Sequence, residues 1–369
     1  MGIQFKESMK DLKSFKPAKV IQDIKDTYQI QEVIKLAANE NTFGASPKVL
    51  AAIREIDDEF IRYPDGKVRI LRNKLAELQG IPEEKYFFGN GSFEILSLLS
   101  KILIDEGDES IVSETSFGWY KSVTAIEGGK IVVVPQVNLR VNLPGMLEAI
   151  TERTKVIWIC NPNNPTGNYV THDELKDFLS KVPNHIAVVI DEAYAEYATN
   201  EDFPRVNEFI QTYENIIVLR TFSKFYGLAG VRIGYAIANE SVIDELFKVK
   251  MPHNVNALAQ KAAVAALDDI EFQEKCLRNN TEGRNYYETA FKSRGLEFVP
   301  SSANFVLVNI NSSSKLVCEE MLKRGVYIRP GAEFGLENYV RISIGKKEEN
   351  KKVVGTLFEI LDQVNKINS

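Results

Sequence analysis

The chain has 369 residues, 44% of them hydrophobic and 26% charged, with a formal net charge of −6 at pH 7. That is room for two ordinary globular domains, and the acidic, evenly mixed charge excludes the basic patch a nucleic-acid binder needs. Three scattered cysteines without a C-x-x-C pair, three histidines without metal-ligand spacing, and no apolar run near the ~20 residues of a membrane span leave a cytoplasmic, metal-free, membrane-free reading.

In chain order, residues 1–45 begin with MGIQFKESMKDLK, which has no apolar segment after its charges and so does not read as a signal peptide. Rich in polar positions, they cannot build a core alone and are expected to pack against the C-terminal part. Residues 46–265 are expected to form the large domain. There KYFFGNG (85–91), ESIVSE (109–114), KIVVVPQ (130–136), KVIWICNPNN (155–164), HIAVVIDEAY (185–194) and NIIVLRTFSK (215–224) read as strands buried on both faces. They are β-branched or aromatic, and too short for core helices. Between them, SFEILSLLSKILIDEG (92–107) places Ile95, Leu98, Leu99 and Ile102 on one helical face, with Ser92 as its N-cap. THDELKDFLSKV opens with a capping box, Thr171 and Glu174. Alternation of strand and helix predicts an α/β fold, a mostly parallel sheet in a three-layer αβα domain. Residues 266–369 read as a smaller α+β domain. Its predicted strands are SANFVLVNI (302–310) and YVRISIG (339–345), and its predicted helices are SKLVCEEMLKRG (314–325) and KKEENKKVVGTLFEILDQVNKI (346–367).

Open α/β sheets bind ligands beyond the carboxyl ends of their strands. The residues just past each apolar run are therefore the candidate site. In order these are Gly89-Asn90-Gly91-Ser92, Thr115-Ser116-Phe117, Asn161 to Gly167 with Asn164, Asp191-Glu192-Ala193-Tyr194, and Arg220-Thr221 with Ser223-Lys224. GNGSFE carries Glu94 where a dinucleotide fingerprint has its third glycine, and no P-loop run exists. The pair reads as an anion cradle at a helix start, with a plain tight turn as the alternative. Singly, Asp191 reads also as a cap, Asn164 as a turn residue and Lys224 as a surface ammonium. Together they converge on one sheet edge, where a desolvated lysine acts as a Schiff-base nucleophile.

The succession NNPTG (163–167), DEAY (191–194), SK (223–224) and GLAGVRIG (227–234) resembles the fold-type I, pyridoxal-phosphate-dependent aminotransferases of the aspartate aminotransferase superfamily, over nearly the whole chain. Within it, LAANENTFG (36–44), RYPDG (62–66), GNGSFEIL, YIRPG (327–331) and VRISIG (340–345) resemble the histidinol-phosphate aminotransferases. The resemblance implies pyridoxal 5'-phosphate joined to Lys224, which also shuttles the reaction's proton. It puts Asp191 on the pyridine nitrogen, Tyr194 and Asn164 on the ring oxygen, and Phe117 on the ring face. Arg232, Ser223, Thr221, Gly91 and Ser92 would hold the cofactor phosphate, with Tyr63 reaching it from the neighbouring subunit of a homodimer. Arg341 would take the substrate's phosphate or the carboxylate of glutamate, Arg329 would be a second arginine on the substrate's phosphate, and Asn304 would line the pocket.

The implied reaction moves the amino group of L-histidinol phosphate to 2-oxoglutarate, a step of histidine biosynthesis. An aromatic or broad-range amino-acid aminotransferase and a threonine-phosphate decarboxylase are the alternatives within the superfamily. Two departures bear on the substrate. Phe93 stands where relatives often carry Asp, and Thr42-Phe43 where they often carry Pro-Tyr.

Overall fold

The computed structural model describes residues 2–10, 12, 14, 17, 19–56 and 61–368. The strands, in chain order, are β1 (Ile34–Lys35), β2 (Tyr86–Gly89), β3 (Glu109–Ser113), β4 (Lys130–Val134), β5 (Thr154–Cys160), β6 (Ala187–Asp191), β7 (Ile216–Thr221), β8 (Gly234–Ala238), β9 (Phe298–Val299), β10 (Phe305–Asn309), β11 (Val326–Tyr327), β12 (Arg329–Pro330) and β13 (Tyr339–Ser343). The central sheet has the order β2-β8-β7-β6-β5-β3-β4. From β7 to β4 neighbouring strands are parallel, and β8 runs antiparallel between β2 and β7. The carboxyl ends of β2, β3, β5, β6 and β7 therefore share one edge, and the amino end of β8 joins them there.

Every residue of β2, β3 and β6 is buried, which is why those runs lack an alternating pattern. Consecutive side chains still go to opposite faces, as the pleat requires. Phe88, Ile157 and Ile159 enter one apolar layer, and Phe87, Val156 and Trp158 the other. The six predicted strands all form, but β4, at the edge of the sheet, is exposed at Lys130 and Val133 and so is not buried on both faces as expected. β8, Gly-Tyr-Ala-Ile-Ala, was not among them, because glycine and alanine carry little strand preference. Its conformation comes from pairing on both sides.

The capping box closes as expected, with Thr171 and Glu174 bonding reciprocally at the start of helix His172–Leu179. The other predicted cap is displaced by one residue. Helix Ser92–Leu103 begins with Ser92 inside it and is capped by Gly91 at φ 81°, with no side-chain capping bond. The chain must reverse tightly out of β2 there, and glycine alone takes that φ without strain. Ile95, Leu98 and Leu99 are buried on the expected face, while Ile102 is only partly so.

A second, four-stranded antiparallel sheet has the order β12-β13-β10-β9. Leu36 joins its core with Val306, Ile342, Phe291 and Leu357, just after β1 pairs with β11. The first residues do otherwise. The short 3-10 turn Glu7–Met9 lies by helix Trp119–Ile126 of the large sheet, where the Ser8 hydroxyl donates to Ile126 O at 3.1 Å. An unpaired helix-end carbonyl is satisfied by that bond. Helix Ile270–Ser293 escaped the sequence reading because its inward face runs Phe272, Cys276, Asn280, Gly283, Tyr287, Phe291, with two non-hydrophobic residues at its centre. Between the two sheets, Tyr194, Tyr197, Phe225, Phe272 and Phe305 make a separate aromatic contact. Among the described residues no helix is long and apolar enough to cross a membrane.

Candidate active site

The loops after β3, β5, β6 and β7 and the helix start after β2 meet at the shared edge of the central sheet. Asp191 ends β6 and is 4% exposed. Its Oδ2 accepts from the Tyr120 hydroxyl at 2.8 Å and its Oδ1 from Ala193 N at 3.2 Å. Those two bonds favour the carboxylate, yet burial outweighs them and raises the pKa to about 6. Tyr120 is held by stacking on Trp158, with ring centroids 5.4 Å apart and planes 4° apart.

Lys224 lies three residues past β7, in the turn its strand must make to reach β8. Its Nζ donates to Ala38 O at 2.9 Å and stands 5.9 Å from the centre of the Tyr194 ring. Desolvation first, and the positive charge of Arg341 second, lower its pKa to about 8. An amine poised near neutrality thus faces the same space as an acid poised below it, and each acts on the other's titration.

The candidate anion cradle, Arg232 with the start of helix Ser92–Leu103, lies where β2, β7 and β8 meet. Arg232 donates from NH1 to Ser223 Oγ at 3.2 Å and to Ala229 O at 3.0 Å. A Cβ on Gly91 would fall 2.1 Å from Arg232 NH2, and one on Gly234 would fall 2.8 Å from Ser92 N. The guanidinium and the first amide of helix Ser92–Leu103 therefore approach bare backbone. Thr221 Oγ1 accepts from Ser223 N at 3.1 Å, which fixes the turn. Arg232 itself sits at φ 61°, a left-handed conformation uncommon for a residue with a side chain. Such local strain costs about 1–3 kcal/mol and is retained where the surroundings enforce it.

On the facing side, Arg341 is buried, with NH1 on Asn164 Oδ1 at 2.5 Å and NH2 on Ala37 O at 2.7 Å. Burial, then Tyr194 in opposition and Arg329 in support, set its pKa at about 10. Arg329 pairs with Glu333 at 2.6 Å. Asn304 donates to Asn39 O at 3.0 Å and lines a small cleft with Glu40, Thr42, Phe43 and Cys276. Phe117 meets Phe93 edge-on at 5.3 Å and Tyr120 at 5.4 Å, so the Phe93 departure builds an aromatic wall in place of an acid.

The structure thus gathers Lys224, Asp191, Tyr194, Asn164 and Arg341 on one side of the edge and Arg232, Ser223, Thr221, Gly91 and Ser92 on another. Tyr63 stands outside this network: it is 84% exposed and stacks on His253 at 4.8 Å. Two residues were not singled out from the sequence. Tyr120 had a signal, lying three positions after Phe117 at the start of a helix. Asn39 had none as a residue. It donates to the Tyr194 hydroxyl at 3.0 Å and exchanges bonds of 2.8 and 2.9 Å with Ser343, joining the N-terminal segment to both sheets.

Comparison with known proteins agrees with this geometry. The family described as aminotransferase class I and II matches residues 31–357. A histidinol-phosphate aminotransferase of Geobacillus sp. (strain WCH70) is 40% identical over 98% of this chain and 99% of its own. One from Brevibacillus brevis is 43% identical over 97% and 99%. The crystal structure of the Sinorhizobium meliloti histidinol-phosphate aminotransferase in complex with pyridoxal-5'-phosphate superimposes with a TM-score of 0.90, at 26% identity and 98% coverage of both chains. By fold and by full-length similarity, this chain belongs to the class I and II aminotransferases, in the histidinol-phosphate aminotransferase family.

Proposed function

We propose that this aminotransferase moves the amino group of L-histidinol phosphate to 2-oxoglutarate on pyridoxal 5'-phosphate, in a ping-pong cycle that yields imidazole acetol phosphate and L-glutamate. One observation carries the reading. A desolvated amine, a buried acid and an arginine-backed anion cradle face one space, in a chain about 40% identical end to end to relatives named for this activity.

The residues fit the cofactor. The cradle at Gly91 and Gly234 has no room for a Cβ, so backbone N–H groups and Arg232 can close on a phosphate. When bound, the cofactor ring delocalises the electron pair left at the amino carbon. The protein supplies orientation and charge. Asp191, ionised above about pH 6, would hold a proton on the ring nitrogen of the bound cofactor. Lys224, with its pKa near 8, is neutral often enough to link to the cofactor and to take and return a proton at Nζ. Tyr194 and Asn164 would bond the ring oxygen, and Phe117 would lie against a ring face. Arg341 and Arg329 hold the substrate's distal anion, and Asn304 borders the pocket.

The homodimer belongs to the same proposal. Tyr63 is exposed together with Ile61 at 77%, Ile70 at 76% and Met251 at 70%, an apolar surface that a second copy would cover. Tyr63 would there reach the partner's cofactor phosphate. The three cysteines are free and buried, consistent with a cytoplasmic setting.

A substrate panel tests the reading. kcat/KM for histidinol phosphate should exceed that for phenylalanine, and O-phosphothreonine should release no carbon dioxide. Preference for phenylalanine, or decarboxylation, would replace this reading with one of its alternatives.

A further inference from the structure

The turn Gly331–Phe334, between β12 and β13, presses on both substrate-side arginines at once. Glu333 Oε2 lies 2.6 Å from Arg329 NH2, and the Phe334 ring lies 5.3 Å from the Arg341 guanidinium. Antiparallel pairing sets Arg329 directly opposite Arg341. The turn has little freedom, since a Cβ on Gly331 would come within 2.4 Å of Tyr339 O and 2.5 Å of Leu336 O. Arg341 is anchored through both terminal nitrogens. Both arginines have a buried Nε with no hydrogen-bond partner among the described residues, but in Arg329 that Nε lies next to a terminal nitrogen held only by the Glu333 side chain. The Glu333 side chain is 45% exposed, so it has solvent to move into.

Charge arithmetic gives this arrangement a purpose. Two guanidinium groups carry two positive charges, and Glu333 cancels one. A ping-pong aminotransferase of the proposed specificity must seat, in turn and in one place, a phosphate dianion on its donor and a carboxylate monoanion on its acceptor. Resting on that reading, we infer that Glu333 is an internal counter-anion: it stays on Arg329 when a carboxylate is bound and yields the Nε–NH2 edge to a phosphate. With Glu333 in, one negative charge balances the arginine pair; with it out, two do. Arginine's planar fork takes a phosphate through two parallel bonds, and the unpartnered Nε is half of that fork already in place.

The test is Glu333→Gln in the holoenzyme, whose cradle is filled by cofactor so that added phosphate reports on the arginine pair. Calorimetry would measure inorganic phosphate binding, and half-reactions followed by cofactor absorbance would give KM for histidinol phosphate and for 2-oxoglutarate. Releasing a half-exposed ion pair should tighten phosphate and histidinol phosphate about five-fold, with 2-oxoglutarate changing by less than about two-fold and the change falling on KM rather than kcat. Weaker phosphate binding would make Glu333 an orienting support for Arg329 and overturn the inference. Equal tightening of both anions would reduce it to bulk charge, and no change would also refute it. A wild-type enzyme inert towards histidinol phosphate would sink the proposed function instead, and the phosphate calorimetry would still read Glu333.

Discussion

Replacing Asp191 with Asn should make the cofactor-free protein more stable while abolishing its turnover. Asp191 is 4% exposed and its pKa rises from 3.8 to about 6, mainly through desolvation. A folded-state pKa above the unfolded one means that the folded state binds more protons between those values. Stability is therefore lost as pH rises from about 4 to about 6, and the loss is complete above that. A shift of roughly two units amounts to roughly 3 kcal/mol at pH 8. The amide removes that burden but leaves an N–H to satisfy, which takes back about 1 kcal/mol. Urea denaturation at one fixed protein concentration should show the variant more stable by roughly 2 kcal/mol at pH 8. That advantage should shrink by roughly 1–2 kcal/mol at pH 5. Turnover of the holoenzyme should fall by about two orders of magnitude or more, since a charge aimed at the reacting system is gone. A stability difference that does not change with pH, or a variant weaker than wild type at pH 8, would refute the view that this buried carboxylate is kept for function at a cost in stability.

Other substitutions probe the same site. Gly91→Ala puts a methyl group 2.1 Å from Arg232 NH2 at φ 81°, so cofactor affinity measured by absorbance titration should drop at least about ten-fold with the fold intact by circular dichroism. Tyr120→Phe removes a bond that favours the Asp191 carboxylate, so the acid limb of the kcat/KM profile should move up in pH. Asn39→Ala cuts the side-chain bonds to Tyr194 and Ser343 while keeping the backbone N–H bond to Ser343, and should cost about 1–3 kcal/mol in urea unfolding. Arg341→Gln should raise KM for both histidinol phosphate and 2-oxoglutarate, because both anions are proposed to meet that guanidinium; an effect on one alone would refute the shared pocket.

The strands that carry the candidate site were legible because burial on both faces leaves continuous apolar runs, and the residues just after those runs are the ones the structure brings to the shared edge. Lys224, Asp191 and Asn164 could be found that way. β8 could not, since its alanines and glycine follow the ladders on either side of them. Helix Ile270–Ser293 was hidden by Asn280 and Gly283 on its inward face. Asn280 donates to Ala303 O at 3.2 Å, a tertiary contact no local pattern announces. Asn39 was unreadable for a related reason. Its role lies in bonds to Tyr194 and Ser343, 155 and 304 residues away. The contact of Ser8 with helix Trp119–Ile126 is likewise set by a helix end rather than by composition.

The account stands on Lys224 being the amine that meets the cofactor at the edge shared with Asp191. Borohydride reduction of the holoenzyme, followed by proteolysis and mass spectrometry, should find the pyridoxyl label on the peptide containing Lys224, and Lys224→Ala should carry no label and no transaminase turnover. A label on any other lysine, or turnover surviving in that variant, would contradict it.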